Sequence, residues 1–211
     1  MATLKALLES PDKSVRLKAA LAAGTYPAPE QIEILVNQCA VESDFFVRDT
    51  LSWALLMHDK KAVVERLIPE LRSENVQAKT QALHTLTKIG EKQNYSLITE
   101  EMLFDADDFI ASTAWRAASV LVPDDEKETL VKILITQLGR GDSDLQFGLT
   151  RFLCALGDVI IKPLGEAAHS AEGEIRIHAE FTLMRYQEMK LESSKKSNVG
   201  GEGFEPPTSA V

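Results

Sequence analysis

Apolar residues recur along this chain with helical spacing in six separate stretches, each opened by a short acidic or small polar residue three positions before its first apolar anchor. The openings are Asp12…Val15, Asp44…Val47, Ser73…Val76, Asp107…Ile110, Asp142…Leu145 and Glu172…Ile175. Successive anchors lie 32, 29, 34, 35 and 30 residues apart. A near-constant step of this size marks a stacked repeat, whose single unit cannot bury its own apolar face. Asp and Ser accept a backbone N–H at a helix start, so the polar residue reads as an N-cap. Four and seven residues past the anchor the apolar face continues, as in Ala19 and Ala22, Leu51 and Ala54, or Ala114 and Ala117. These positions share one helix face, and their small side chains allow close helix approach.

Between these helices a second amphipathic set occupies residues 30–40, 61–71, 95–104, 125–138 and 158–169, with 1–9 as a shortened first member. Each unit therefore reads helix, tight turn, helix. Gly24, Gly90, Gly139 and Gly157 fall near helix ends, where a C′ residue favours glycine. No alternating strand pattern of useful length occurs. The fold predicted is all-α, a right-handed α-α superhelix (solenoid) of about six helical hairpins. It should occupy residues 1–190. Residues 191–211 turn polar and then Gly- and Pro-rich, and are expected to form a disordered tail. The closing run GGEGFEPPTSAV has the form of a reading frame continued into an adjoining tRNA gene.

The repeat resembles the HEAT-repeat family, of the type grouped with the HEAT-like repeats of bilin-lyase subunits. The residues that carry the resemblance are Asp12-Lys13-Ser14-Val15-Arg16, Asp44-Phe45-Phe46-Val47-Arg48 and Glu172-Gly173-Glu174-Ile175-Arg176, each leading into an Ala/Leu-rich helix. It covers about residues 2–190. It implies a ladder in which the Asp before the anchor meets the Arg after it in the adjacent repeat. The Arg site reads Arg16, Arg48, Gln77, Ala111, Gln146 and Arg176, so the ladder should be interrupted in the middle.

In such a stack the second helices usually line the concave surface. Positions between their core stripes supply the candidate binding residues: Asp49, Trp53, Ser112, Trp115, Arg116, Arg151, His178 and Glu180. Trp and Arg dominate binding hot spots. Two readings of Trp53 and Trp115 stay open: anchors in a groove, or fillers between repeats.

The 211 residues carry 23 Lys+Arg against 32 Asp+Glu, a net charge of −9. That balance argues against nucleic acid, which needs a basic footprint, and against anionic membrane surfaces. By itself it favours basic partners. No apolar run is long enough to span a membrane. The first residues, Met1-Ala2-Thr3-Leu4-Lys5, lack the look of a signal peptide, and two cysteines, Cys39 and Cys154, suit a reducing compartment, so a cytoplasmic location is expected. The single Glu166-x-x-His169 lacks the second pair that a di-iron site needs. Phosphate loops and a Gly-x-Ser-x-Gly elbow are missing. No catalytic residue, metal or cofactor is therefore assigned.

The function expected is a non-enzymatic scaffold that binds an unidentified protein or peptide on its concave face. The alternative is an enzyme of HEAT-like fold. Resemblance to alkylpurine DNA glycosylases would give roles to Trp53, Trp115, Asp49 and Arg116. A bilin-lyase role rests on the shared repeat type alone.

Overall fold

The structure, a computed structural model, describes residues 3–199. Among them are twelve α-helices, three 3-10 turns and no strand. The helices pack as repeated hairpins within two compact units, the first ending at Leu130 and the second beginning at Val131.

In the first unit the helices are α1 (Leu4–Leu8), α2 (Lys13–Thr25), α3 (Gln31–Cys39), α4 (Phe45–Leu56), α5 (Lys60–Leu71), α6 (Val76–Ile89), α7 (Glu100–Leu103) and α8 (Asp108–Leu121). Each odd-numbered helix packs on the even-numbered helix that follows it. The even helices also pack in succession, α2 on α4, α4 on α6 and α6 on α8, while α1, α3 and α5 form a second layer. The core between the layers is aliphatic: Leu35, Leu51, Val63, Leu83 and Leu86 are fully enclosed. Removing each such side chain from water contributes about 1.5–3 kcal/mol. Gly24 permits one close approach, since a Cβ there would lie 2.3 Å from Cζ3 of Trp53.

The caps fall where the polar openings predict. The Asp12 carboxylate accepts from Ser14 N, Asp44 from Phe46 and Val47 N, Asp107 from Phe109 and Ile110 N, and Asp142 from Leu145 N. The third repeat differs. Its N-cap is Asn75, accepting from Ala78 N, not Ser73. Ala78 is accordingly buried and Val76 partly exposed, so the true anchor is Ala78, two residues later. Ser73 instead accepts from Asn75 N and shapes the turn.

The helix expected over 95–104 is also corrected. A 3-10 run occupies Lys92–Leu97, Ile98 and Thr99 are extended, and only the single turn of α7 follows. Asn94, Ser96 and Thr99 lie in this stretch, and such side chains compete with helical hydrogen bonds for the backbone.

The boundary between units falls within α9 (Lys127–Ile135). The second unit continues with α10 (Ser143–Ala155), α11 (Ile161–Ser170) and α12 (Gly173–Val199), with α12 packed on both α10 and α11. Pro163 sits in the first turn of α11, where no intrahelical N–H is lost. Tyr186 Oη donates to Asp158 Oδ1 at 2.9 Å, and Lys190 Nζ donates to the same oxygen at 2.6 Å. Of the segment expected to be a tail, residues 191–199 continue α12, and 200–211 lie outside the described residues.

The inter-repeat ladder centres on Glu42, in the turn between α3 and α4. Arg16 Nε and Nη2 each donate to a Glu42 carboxylate oxygen at 2.8 Å, while Nη1 donates to the carbonyls of Ser10 and Pro11. Arg48 Nη1 donates to Glu42 O and Ser43 O, and Gln77 Nε2 to Cys39 O and Glu42 O. With the third anchor at Ala78 the Arg site there is Lys79, whose Nζ lies 3.7 Å from Asp105 Oδ2, two residues before the next N-cap as Glu42 is before Asp44, so the ladder runs on where an interruption was expected. Arg176, by contrast, pairs with Glu180 on its own helix.

Candidate functional site

A groove of about 450 Å3 crosses α4, α6 and α8 in the first unit, on the face away from the aliphatic core. From α4 it takes Phe45, Arg48 and Asp49; from α6, Thr80, Gln81, His84 and Thr87; from α8, Phe109, Ser112, Thr113 and Arg116. Three neighbouring helices contribute because their repeats are in register: Asp49, Thr80 and Ser112 occupy one equivalent position, and Trp53, His84 and Arg116 another. The two phenylalanines stand well out of the protein, Phe45 at 65% exposure and Phe109 at 60%.

The hydroxyls in the groove are turned onto their own helices. Thr80 Oγ1 donates to Val76 O, Thr87 to Leu83 O, and Ser112 and Thr113 both to Phe109 O. The charged groups are arranged unevenly. Asp49 is held by Lys88, whose Nζ donates to Oδ1 at 2.6 Å, and His84 Nε2 lies 4.0 Å from the same oxygen. Arg116 is exposed and makes no ion pair among the described residues. Burial, reinforced by the positive charges of Lys88 and Arg116, pushes the His84 imidazole down to about 4 despite Asp49. At neutral pH it is therefore uncharged.

This has a consequence for stability. Unfolding exposes His84 and restores a pKa near 6.5, so the unfolded chain binds the proton more readily. The folded state keeps its full advantage above about pH 6.5 and loses it as the pH falls toward about 4. At pH 5 this one group should account for about 1–2 kcal/mol of lost stability. Urea unfolding of the wild type and His84→Asn at pH 7 and pH 5 checks it: the variant should show a shallower loss.

Of the eight candidates, Asp49, Ser112 and Arg116 meet in the groove. The other five do not. Trp115 is fully enclosed, its indole Nε1 donating to Leu103 O at 2.8 Å, so it fills space under α7. Trp53 is half-buried over Gly24. Arg151 and Glu180 are exposed in the second unit, the latter paired with Arg176.

His178 is buried as a structural tie, which corrects its placement on a binding face. Its Nδ1 accepts from Gly139 N at 3.0 Å, so Nε2 carries the proton and donates to Thr150 Oγ1. Thr150 then donates to Thr182 Oγ1, and Thr182 to His178 O. This chain of hydrogen bonds joins α10, α12 and the turn after α9. Burial lowers the pKa of His178, in keeping with a neutral ring.

His84, Gln81, Phe45 and Phe109 were missed from sequence. Once the third repeat is numbered from Asn75, His84 falls at the position of Trp53 and Arg116. That signal lay in the sequence, hidden by the two-residue offset.

No family model matches this chain, and no curated protein does. Among solved structures it is similar to the complex of CpcE and CpcF of phycocyanin lyase from Nostoc sp. PCC7120, with 18% identity, a TM-score of 0.48, and coverage of 85% of this chain and 75% of that one. No helix among the described residues is long and apolar enough to cross a membrane.

Proposed function

We propose that this chain is a non-enzymatic interaction module that holds a peptide segment of a partner protein across α4, α6 and α8. The observation that carries this reading is the pairing of two protruding phenylalanines with a groove shared by three successive repeats. Aromatic residues, phenylalanine included, and arginine are enriched where protein partners meet. Helical repeat stacks expose such extended surfaces without a deep pocket. The glycosylase-like set of Trp53, Trp115, Asp49 and Arg116 does not assemble, since Trp115 is enclosed and Trp53 lies outside the groove.

Selection of a random 12-residue peptide display library on the full chain tests the reading. Recovered peptides should bind the wild type at least tenfold tighter than a Phe109→Ala/Arg116→Ala variant that keeps its helical circular dichroism. Recovery of only peptides that bind both proteins equally would overturn it.

A further inference from the structure

The chain as a whole is acidic, at −9, yet the groove is not. Arg48 and Arg116 line it and Lys88 reaches into its edge, against the single carboxylate of Asp49. That carboxylate is already engaged by Lys88. The hydroxyls of Thr80, Thr87, Ser112 and Thr113 spend their protons on backbone carbonyls. What remains to a ligand is a surface of net positive charge, led by the unpaired guanidinium of Arg116 with the amide of Gln81 beside it, and with Phe45 and Phe109 as apolar shoulders. A guanidinium carries five donors and no acceptor, so the free Arg116 selects an anionic acceptor, and a carboxylate satisfies it with two parallel bonds.

We propose that the groove takes an acidic peptide segment, its carboxylates on Arg116 and the neighbouring donors and an apolar side chain against Phe45 or Phe109. The proposal rests on the peptide-binding reading above and specifies its partner. It reverses what net charge alone suggests, because a short ligand meets the local field of the groove, whereas the −9 acts on long-range approach. The same distinction favours peptide over nucleic acid. A few carboxylates fit within about 450 Å3, whereas a polyanionic strand extends onto the acidic remainder of the surface.

The test uses two display libraries of the form X4-Phe-X4 on the full chain. In one, X is drawn from Asp, Glu, Gly and Ser; in the other, from Lys, Arg, Gly and Ser. The acidic library should be enriched on the wild type, with affinity falling at least tenfold between 50 and 500 mM salt. Lys88→Glu/Arg116→Glu should reverse the preference, and Arg116→Ala alone should weaken acidic binders at least fivefold should the double variant fail to fold. Preference for the basic library, or failure of both while the unrestricted library still yields groove-dependent peptides, overturns the acidic assignment and leaves peptide binding intact. Failure of all three libraries overturns the peptide reading itself. Binding of a labelled 15-residue oligo-dT that Arg116→Ala abolishes, with no acidic peptide enriched, overturns the proposal in favour of nucleic acid.

Discussion

Trp115→Ala should cost the first unit about 3–5 kcal/mol, the range for truncating a fully buried large aromatic side chain. The indole, carried by α8, is enclosed, and α7 over it is a single turn with little intrinsic stability. Removing the ring therefore leaves a cavity and frees the short helix that caps it. Trp115→Phe separates the two contributions. It retains most of the volume but leaves Leu103 O without its indole donor, and should cost about 1–3 kcal/mol. Urea unfolding followed by far-ultraviolet circular dichroism measures both. If Trp115→Ala were nearly neutral, the indole would have to face solvent, as the groove-anchor reading requires.

Glu42→Ala should be similarly severe, at about 3–5 kcal/mol, because it strands a nearly buried guanidinium. Burial alone would raise the Glu42 pKa. The hydrogen bonds from Arg16, the Asp44 N–H and Gln38 outweigh it and hold the carboxyl below its usual range. Its stabilisation is therefore present above the unfolded carboxyl pKa and lost as the pH falls through the lower folded value. Replacing both partners, as in Arg16→Met/Glu42→Leu, should recover much of the loss, since no charge is then left unpaired. Thermal denaturation of the single and double variants forms the cycle. A double variant as unstable as Glu42→Ala would mean that the carbonyls of Ser10 and Pro11, which also accept from Arg16, dominate the tie.

Much of this architecture is legible in the sequence. Asp12, Asp44, Asp107 and Asp142 each cap the helix they were expected to open, because a short carboxylate before an apolar helical stripe has few other local uses. The third repeat misleads because Ser73 and Asn75 are both competent caps and Val76 looks the better anchor than Ala78. Only burial separates them. The candidate site is legible to the same extent. Asp49, Ser112 and Arg116 lie two or six residues past their anchors, and the structure brings them to one face. Trp115 is one residue from Arg116, but one residue turns a helix by about 100°, which carries it into the core. His178 fails for a different reason. A polar side chain in a helix reads as surface until Gly139, Thr150 and Thr182, distant in sequence, are seen to enclose it.

Hydrogen–deuterium exchange on the full chain, with and without the tightest acidic peptide from the selection, tests the assignment of the binding face most directly. Protection should concentrate in residues 45–49, 80–88 and 109–116, the segments that build the groove. Protection confined to α1, α3 and α5, or to the second unit, would contradict it.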